Sequence, residues 1–184
     1  MPILPREPDC YPTDLLDQTE SMDSEWWLLY VRSRQEKSIM RTLRRLEIAH
    51  YAPLIEQRQR APNGRMRTSF VPLFSTYVFL RGGNDARFEA VSTGSVMQAA
   101  PIREVPDLID DLRQIRDLIE LGVPLTKESR LQAGAPVRVR NGTFAGYEGV
   151  VIRRENERRL LVAVRFMEQG VSVNLEDCQV ESIA

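Results

Sequence analysis

One imidazole, two thiols and a scatter of carboxylates are the groups in this chain that acid–base, nucleophilic or metal chemistry would draw on. His50 is the only histidine among the 184 residues, so no paired-imidazole zinc site can form. Cys10 and Cys178 stand near opposite ends without metal-type spacing, which fits a reduced, cytoplasmic setting. Gly142, Gly146 and Gly149 lack the spacing of a P-loop or a dinucleotide fingerprint, and no nucleophile elbow occurs. Asp110-Asp111 is expected on the solvent face of a helix. His50 falls at a helix-to-strand junction, where a packed or surface histidine is commoner than a catalytic base. The chain reads as a binder rather than an enzyme, with no catalytic residue, no metal and no cofactor.

Charge is the remaining chemistry, and it is unevenly placed. Glu7, Asp9, Asp14, Asp17, Glu20 and Asp23 oppose Arg6 alone in residues 1 to 24. Between Arg32 and Arg67 the balance reverses, with nine arginines and Lys37 against Glu36, Glu47 and Glu56. The net charge of -1 therefore hides a basic stretch able to attract phosphate or an acidic protein. Hydrophobic residues make up 42%, enough for a core, and no apolar run approaches the roughly 20 residues of a membrane helix. The N-terminus lacks the basic start and apolar core of a signal peptide.

The elements that would position these groups follow from periodicity. Residues 1–24 are expected to form a mostly disordered acidic tail, which could shield the basic region. Glu25 to Val31 is an aromatic-rich strand. Ser33 and Glu36 have capping-box spacing and open a helix to about Leu46, with Ile39, Met40, Leu43 and Leu46 facing the core and Lys37, Arg41, Arg44 and Arg45 on the remaining surface. Tyr51 to Arg58 is a second strand, and Pro62-Asn63-Gly64 a turn. In Phe70 to Leu80, FVPLFSTYVFL, the half after Pro72 reads as a buried central strand. Leu73 and Phe74 either fold into the core or form an exposed apolar patch. One or two helical turns are expected at Asp85–Val91, a short strand at Val96–Ala99, and a helix from Pro106 stopped by Gly122 and Pro124. The order gives an α+β fold, helices against a mostly antiparallel sheet. Val123 to Gln132 has linker composition, and four or five short strands beyond it imply a small all-β barrel.

Taken together, residues 25–122 resemble the NusG N-terminal (NGN) domain. The resemblance rests on Trp26-Trp27, Val31 to Lys37, Tyr51-Ala52-Pro53 and Pro72-Leu73-Phe74-Ser75-Thr76-Tyr77-Val78-Phe79. Residues 131–184, with Val137-Arg138-Val139, Gly142 to Val151 and Val180-Glu181, resemble a KOW domain, an SH3-like barrel, and 123–130 would link the two. Ser75-Thr76-Tyr77 replaces the Pro-Gly-Tyr of the family motif. The Phe-Gly-Arg of the housekeeping factor is also replaced, and Phe166 to Leu175 is more like the specialised RfaH-like or UpxY-like antiterminators. In some relatives of that type the C-terminal domain can be helical; the β-branched alternation of Val137 to Leu175 favours a constitutive barrel here.

What the resemblance implies is a monomeric bacterial transcription elongation factor. Its NGN domain would dock on the clamp helices of RNA polymerase, with Trp27, Tyr30, Leu73, Phe74 and Tyr77 as clamp-facing residues. Trp27 and Tyr30 cannot share one face of a regular strand, so at least one belongs to the core. Arg32, Arg41, Arg44 and Arg45 would face nucleic acid, non-template DNA among the options, and Asp85 to Phe88 match the segment facing the opposite side of the cleft. Gly142, Phe144, Gly146 and Gly149 carry the KOW motif. Rho or the ribosome are that domain's partners in the family, and the replaced motif counts against both here. The expected function is modulation of pausing and termination by a specialised antiterminator. The alternatives are a KOW-type RNA-binding or ribosome-associated protein acting without polymerase, and a hydrolase or nuclease on an unfamiliar scaffold.

Overall fold

The computed structural model describes residues 6–19, 23–62, 64–128, 134–154, 157–176 and 178–183. They form two compact units, Met1–Val105 and Pro106–Ala184.

In the first unit, Trp26–Val31 (β2) lies between Tyr77–Arg81 (β6) and the edge strand Val96–Ile102 (β7). His50–Tyr51 (β3) flanks β6 on its other side, and Cys10–Tyr11 (β1) closes the sheet, all neighbours antiparallel. Side chains alternate across the sheet. Leu29, Val31, Val78 and Leu80 therefore share one face, where they pack with Ile39, Met40 and Leu43 of helix α1 (Glu36–Arg45) and Ala90 of helix α2 (Asn84–Ser92). Tyr51–Arg58 is not one strand. Ala52-Pro53 interrupts it, and Leu54–Arg60 (β4) leaves to pair with Met66–Pro72 (β5) as a separate two-stranded hairpin. At the expected turn Gly64 has φ +79° and donates its N–H to Ala61 O at 2.9 Å; Asn63 lies outside the described residues.

Three further expectations in this unit need correction. Residues 6–19 are no disordered tail: β1 joins the sheet, and Leu15 and Leu16 are 0% and 1% exposed. Burial of two leucines outweighs the acids, of which Asp14 and Asp17 are exposed and Glu7 and Asp9 are half-buried. The cap of α1 is not Ser33. The helix opens after Gln35 without a side-chain cap, and the Glu36 carboxylate instead accepts the N–H of Thr76 at 2.7 Å. Leu46 follows the last helical residue and is exposed, because the chain leaves the helix before the periodic position is reached.

The second unit carries helix α3 (Val105–Glu120) and a six-stranded antiparallel sheet. Its order is Val180–Ser182 (β13), Pro136–Val139 (β9), Glu148–Arg154 (β10), Glu157–Val164 (β11), Gln169–Asn174 (β12) and Thr126–Glu128 (β8). β8 falls in the stretch expected as a linker, pairing with β12 through Gly170 to Ser172. The α3 helix buries Leu108, Ile109, Leu112, Ile115 and Leu118 and is tied to the sheet by polar groups. Gln114 accepts the backbone N–H of Glu148 at 2.8 Å, and the Asp111 carboxylate accepts that of Arg165 at 3.0 Å. Asp110 is exposed as expected, but Asp111 is buried. Burial raises its pKa, against the stabilising hydrogen bonds from Arg165.

Candidate functional site

Tyr30 and Tyr77 stand opposite each other at the ends of β2 and β6, with ring centroids 5.6 Å apart. Tyr30 is 38% exposed and Tyr77 half-buried, so the pair presents an amphipathic edge to solvent. The turn that delivers it is strained. Thr76 has φ +69°, a left-handed conformation costly for a β-branched residue, at the position that glycine holds in the motif of the resemblance. Two bonds tie it to distant parts of the unit: Thr76 N–H to Glu36, and Val31 N–H to Thr76 O at 2.8 Å. Glu36 therefore supports this edge from the first turn of α1. The sequence showed Glu36 as a capping residue; its partner 40 positions on carried no local signal.

The structure does not bring the other expected clamp residues to this surface. Leu73 is buried, and Phe74 is 2% exposed, edge-on to Phe79 at 6.1 Å. Of the two readings left open for them, core packing holds. They lie beneath the surface because Leu73 N–H bonds Pro53 O at 2.8 Å and the following turn folds the side chains inward. Trp27 sits on the opposite face of β2 from Tyr30. Its indole N–H donates to Gly82 O at 2.8 Å and the Arg87 guanidinium stands 5.1 Å over its ring. Phe88 of α2, in the segment expected to face across the cleft, is largely exposed.

The basic residues group on the outside of α1. Arg41, Arg44 and Arg45 line, with Ser38, a shallow hollow of about 470 Å³. The N-terminal segment reaches this face. Arg41 pairs with Glu7 at 3.4 Å, and Arg44 donates to Pro8 O at 2.6 Å. Arg45 donates to Thr42 Oγ1 at 3.2 Å. Arg32 is exposed. Among the described residues, shielding by the acidic segment, legible as an option in the charge pattern, consists of the contacts from Glu7 and Pro8.

In the second unit Gly142 and Gly146 have φ +82° and +90°, conformations that side chains disfavour. Gly149 needs its hydrogen for another reason: an added Cβ would run into the Leu161 carbonyl on the neighbouring strand. Phe144 is buried within the same loop, edge-on to Tyr147 at 6.3 Å, rather than offered to solvent.

His50 is buried, with Nδ1 2.8 Å from Ile48 O and Nε2 without a partner. Burial pushes its pKa down to about 4. It packs near the Tyr11 ring at 6.1 Å, consistent with a structural histidine. Among the described residues no three His, Cys, Asp or Glu side chains are grouped to hold a metal.

Comparison with known proteins bears on the first unit above all. Residues 24–128 match the family described as NusG, transcription termination factor nusG. A chain from the crystal structure of the MjSpt4:Spt5 complex, conformation B, is 15% identical, with a TM-score of 0.27, over 85% of this chain and 97% of that one. No curated protein matches. The family match alone carries the assignment: spanning more than half of its residues, it places the chain in the NusG family.

Proposed function

We propose that this protein is a transcription elongation factor that docks on RNA polymerase through the Tyr30–Tyr77 edge of its first unit and modulates pausing and termination. The observation that carries the reading is a tyrosine pair at the surface, Tyr30 exposed and Tyr77 half-buried, held on two central strands by a strained turn, in a chain of the NusG family. Tyrosine is favoured at binding hot spots because a rigid ring supplies large contact area with a polar tip. The clamp helices are the counterpart. Leu73 and Phe74 support this edge from the core, and Trp27 belongs to the opposite face.

In this reading 25–122 is an NGN domain, 123–130 the connection and 131–184 a KOW domain of SH3-like form. Arg32, Arg41, Arg44 and Arg45 attract nucleic acid beside the polymerase. Phe166 to Leu175 lacks the housekeeping motif, which supports a specialised antiterminator. The test is isothermal calorimetry of the full chain against the clamp helices, with Tyr30→Ala/Tyr77→Ala as the variant. Loss of two ring contacts at a hot spot predicts a fall in affinity of about tenfold or more. Equal affinity of variant and wild type would overturn the docking edge. Absence of binding, with RNA affinity intact, would move the function to the second unit.

A further inference from the structure

The β4–β5 hairpin has no place in the docking edge or the α1 basic face. Leu54–Arg60 and Met66–Pro72 pair along their whole length, a ribbon of about 23 Å at about 3.3 Å per residue. Beyond its base the ribbon is exposed on both faces: Glu56 to Arg60 and Gly64 to Arg67 are all surface residues. A two-stranded ribbon of this kind is marginal in water without something to lie against.

Its composition says what that is. Leu54 to Pro72 carries Arg58, Arg60, Arg65 and Arg67 against Glu56 alone. Register places Arg58 and Arg60 on one face, opposite Thr68 and Met66, and Arg67 on the other, opposite Gln59. Between them stand Gln57, Gln59, Thr68 and Ser69, neutral donors and acceptors. The one aromatic in the segment, Phe70, is half-buried near the base, with the Arg6 guanidinium 6.0 Å from its ring. The exposed part therefore has no platform on which single-stranded bases could stack. Nor has it the aromatic anchors typical of a protein interface. Arginines on both faces with short polar side chains between them suit a partner with phosphates along two walls. The B-DNA major groove admits a two-stranded ribbon, whereas the A-form RNA major groove is too narrow.

We propose that the β4–β5 hairpin is a second binding site, an arm that lies in a groove of duplex DNA with its arginines on the phosphate backbone. This site does not rest on the polymerase-docking reading, and it is tested on the protein alone. The measurement is fluorescence anisotropy of the full chain with a labelled duplex of about 20 base pairs, titrated between about 50 and 200 mM NaCl. Each phosphate contact contributes about 0.9 to the slope of log affinity against log salt. Arg58→Gln/Arg60→Gln/Arg67→Gln should therefore flatten the slope by about 2 to 3 and weaken binding at least about tenfold at low salt. Arg60→Gln alone, at an exposed site, should remove about 0.9 and serves as the variant least able to disturb the fold. An unchanged slope in both variants would overturn the proposal. So would tighter binding to single-stranded DNA or duplex RNA of the same length, or no duplex affinity at about 50 mM salt, the result expected if an acidic protein were the counterpart.

Discussion

Phe74→Ala separates a core residue from a binding residue. Phe74 is 2% exposed and meets Phe79 edge-on at 6.1 Å, so truncation leaves a cavity beside the sheet rather than a bare patch on the surface. Large-to-small changes of this kind cost about 3 to 5 kcal/mol, the lost transfer energy plus the cavity. Both tryptophans, buried Trp26 and half-buried Trp27, lie in the first unit, so urea unfolding followed by their fluorescence reports that unit. With a urea dependence of about 1 to 3 kcal/mol per molar, the midpoint should fall by at least about 1 M. Tyr30→Ala removes a ring that is 38% exposed and in tilted contact with Tyr77, a loss of about 0.5 to 1.5 kcal/mol, and should move the midpoint far less. A Phe74→Ala midpoint equal to wild type, or a larger fall for Tyr30→Ala, would refute the assignment of Phe74 to the core and Tyr30 to the surface.

The N-terminal segment gives a second stability test: Leu16→Ala, at a site 1% exposed, should cost about 2 to 5 kcal/mol, where a disordered tail would give none. Thr76→Gly should raise stability by up to about 1 kcal/mol in the same urea assay, since glycine adopts the left-handed backbone without the Cβ cost, whereas Glu36→Ala should lower it by about 1 to 3 kcal/mol by stranding the Thr76 N–H. His50 contributes a pH dependence. Its folded pKa of about 4 lies below the ordinary 6.5, so the unfolded chain binds the extra proton; the stabilisation is full above about pH 6.5 and is lost as pH falls through about 4. At about 1.4 kcal/mol per pKa unit the loss is on the order of 3 kcal/mol, and His50→Phe should flatten that part of a stability–pH profile.

What the sequence makes legible are the elements with a strong composition or period. The Trp26–Val31 and central Tyr77–Arg81 strands follow from their aromatic and aliphatic content, and the α1 core face of Ile39, Met40 and Leu43 from spacing. The N-terminal segment was not legible, because a two-residue strand and the adjacent pair Leu15-Leu16 have no period, and the surrounding acids give the composition of a tail. Leu73 and Phe74 stood between core and surface because local pattern does not say which way a loop folds. The polar ties that matter most span long separations. Glu36 reaches Thr76 and Asp111 reaches Arg165, 54 positions on, and neither pair has a spacing signature. At the candidate site, Tyr30 and Tyr77 are both among the residues that the family resemblance implies. Their juxtaposition, and the exclusion of Trp27 from that surface, came from strand register.

The most direct measurement is the affinity of the full chain for the polymerase clamp helices, compared with Tyr30→Ala/Tyr77→Ala at matched stability. Binding by the wild type that falls about tenfold or more in the variant, with the urea midpoint nearly held, is the expected result. Wild-type binding that survives removal of both rings, or no binding at all, would contradict it.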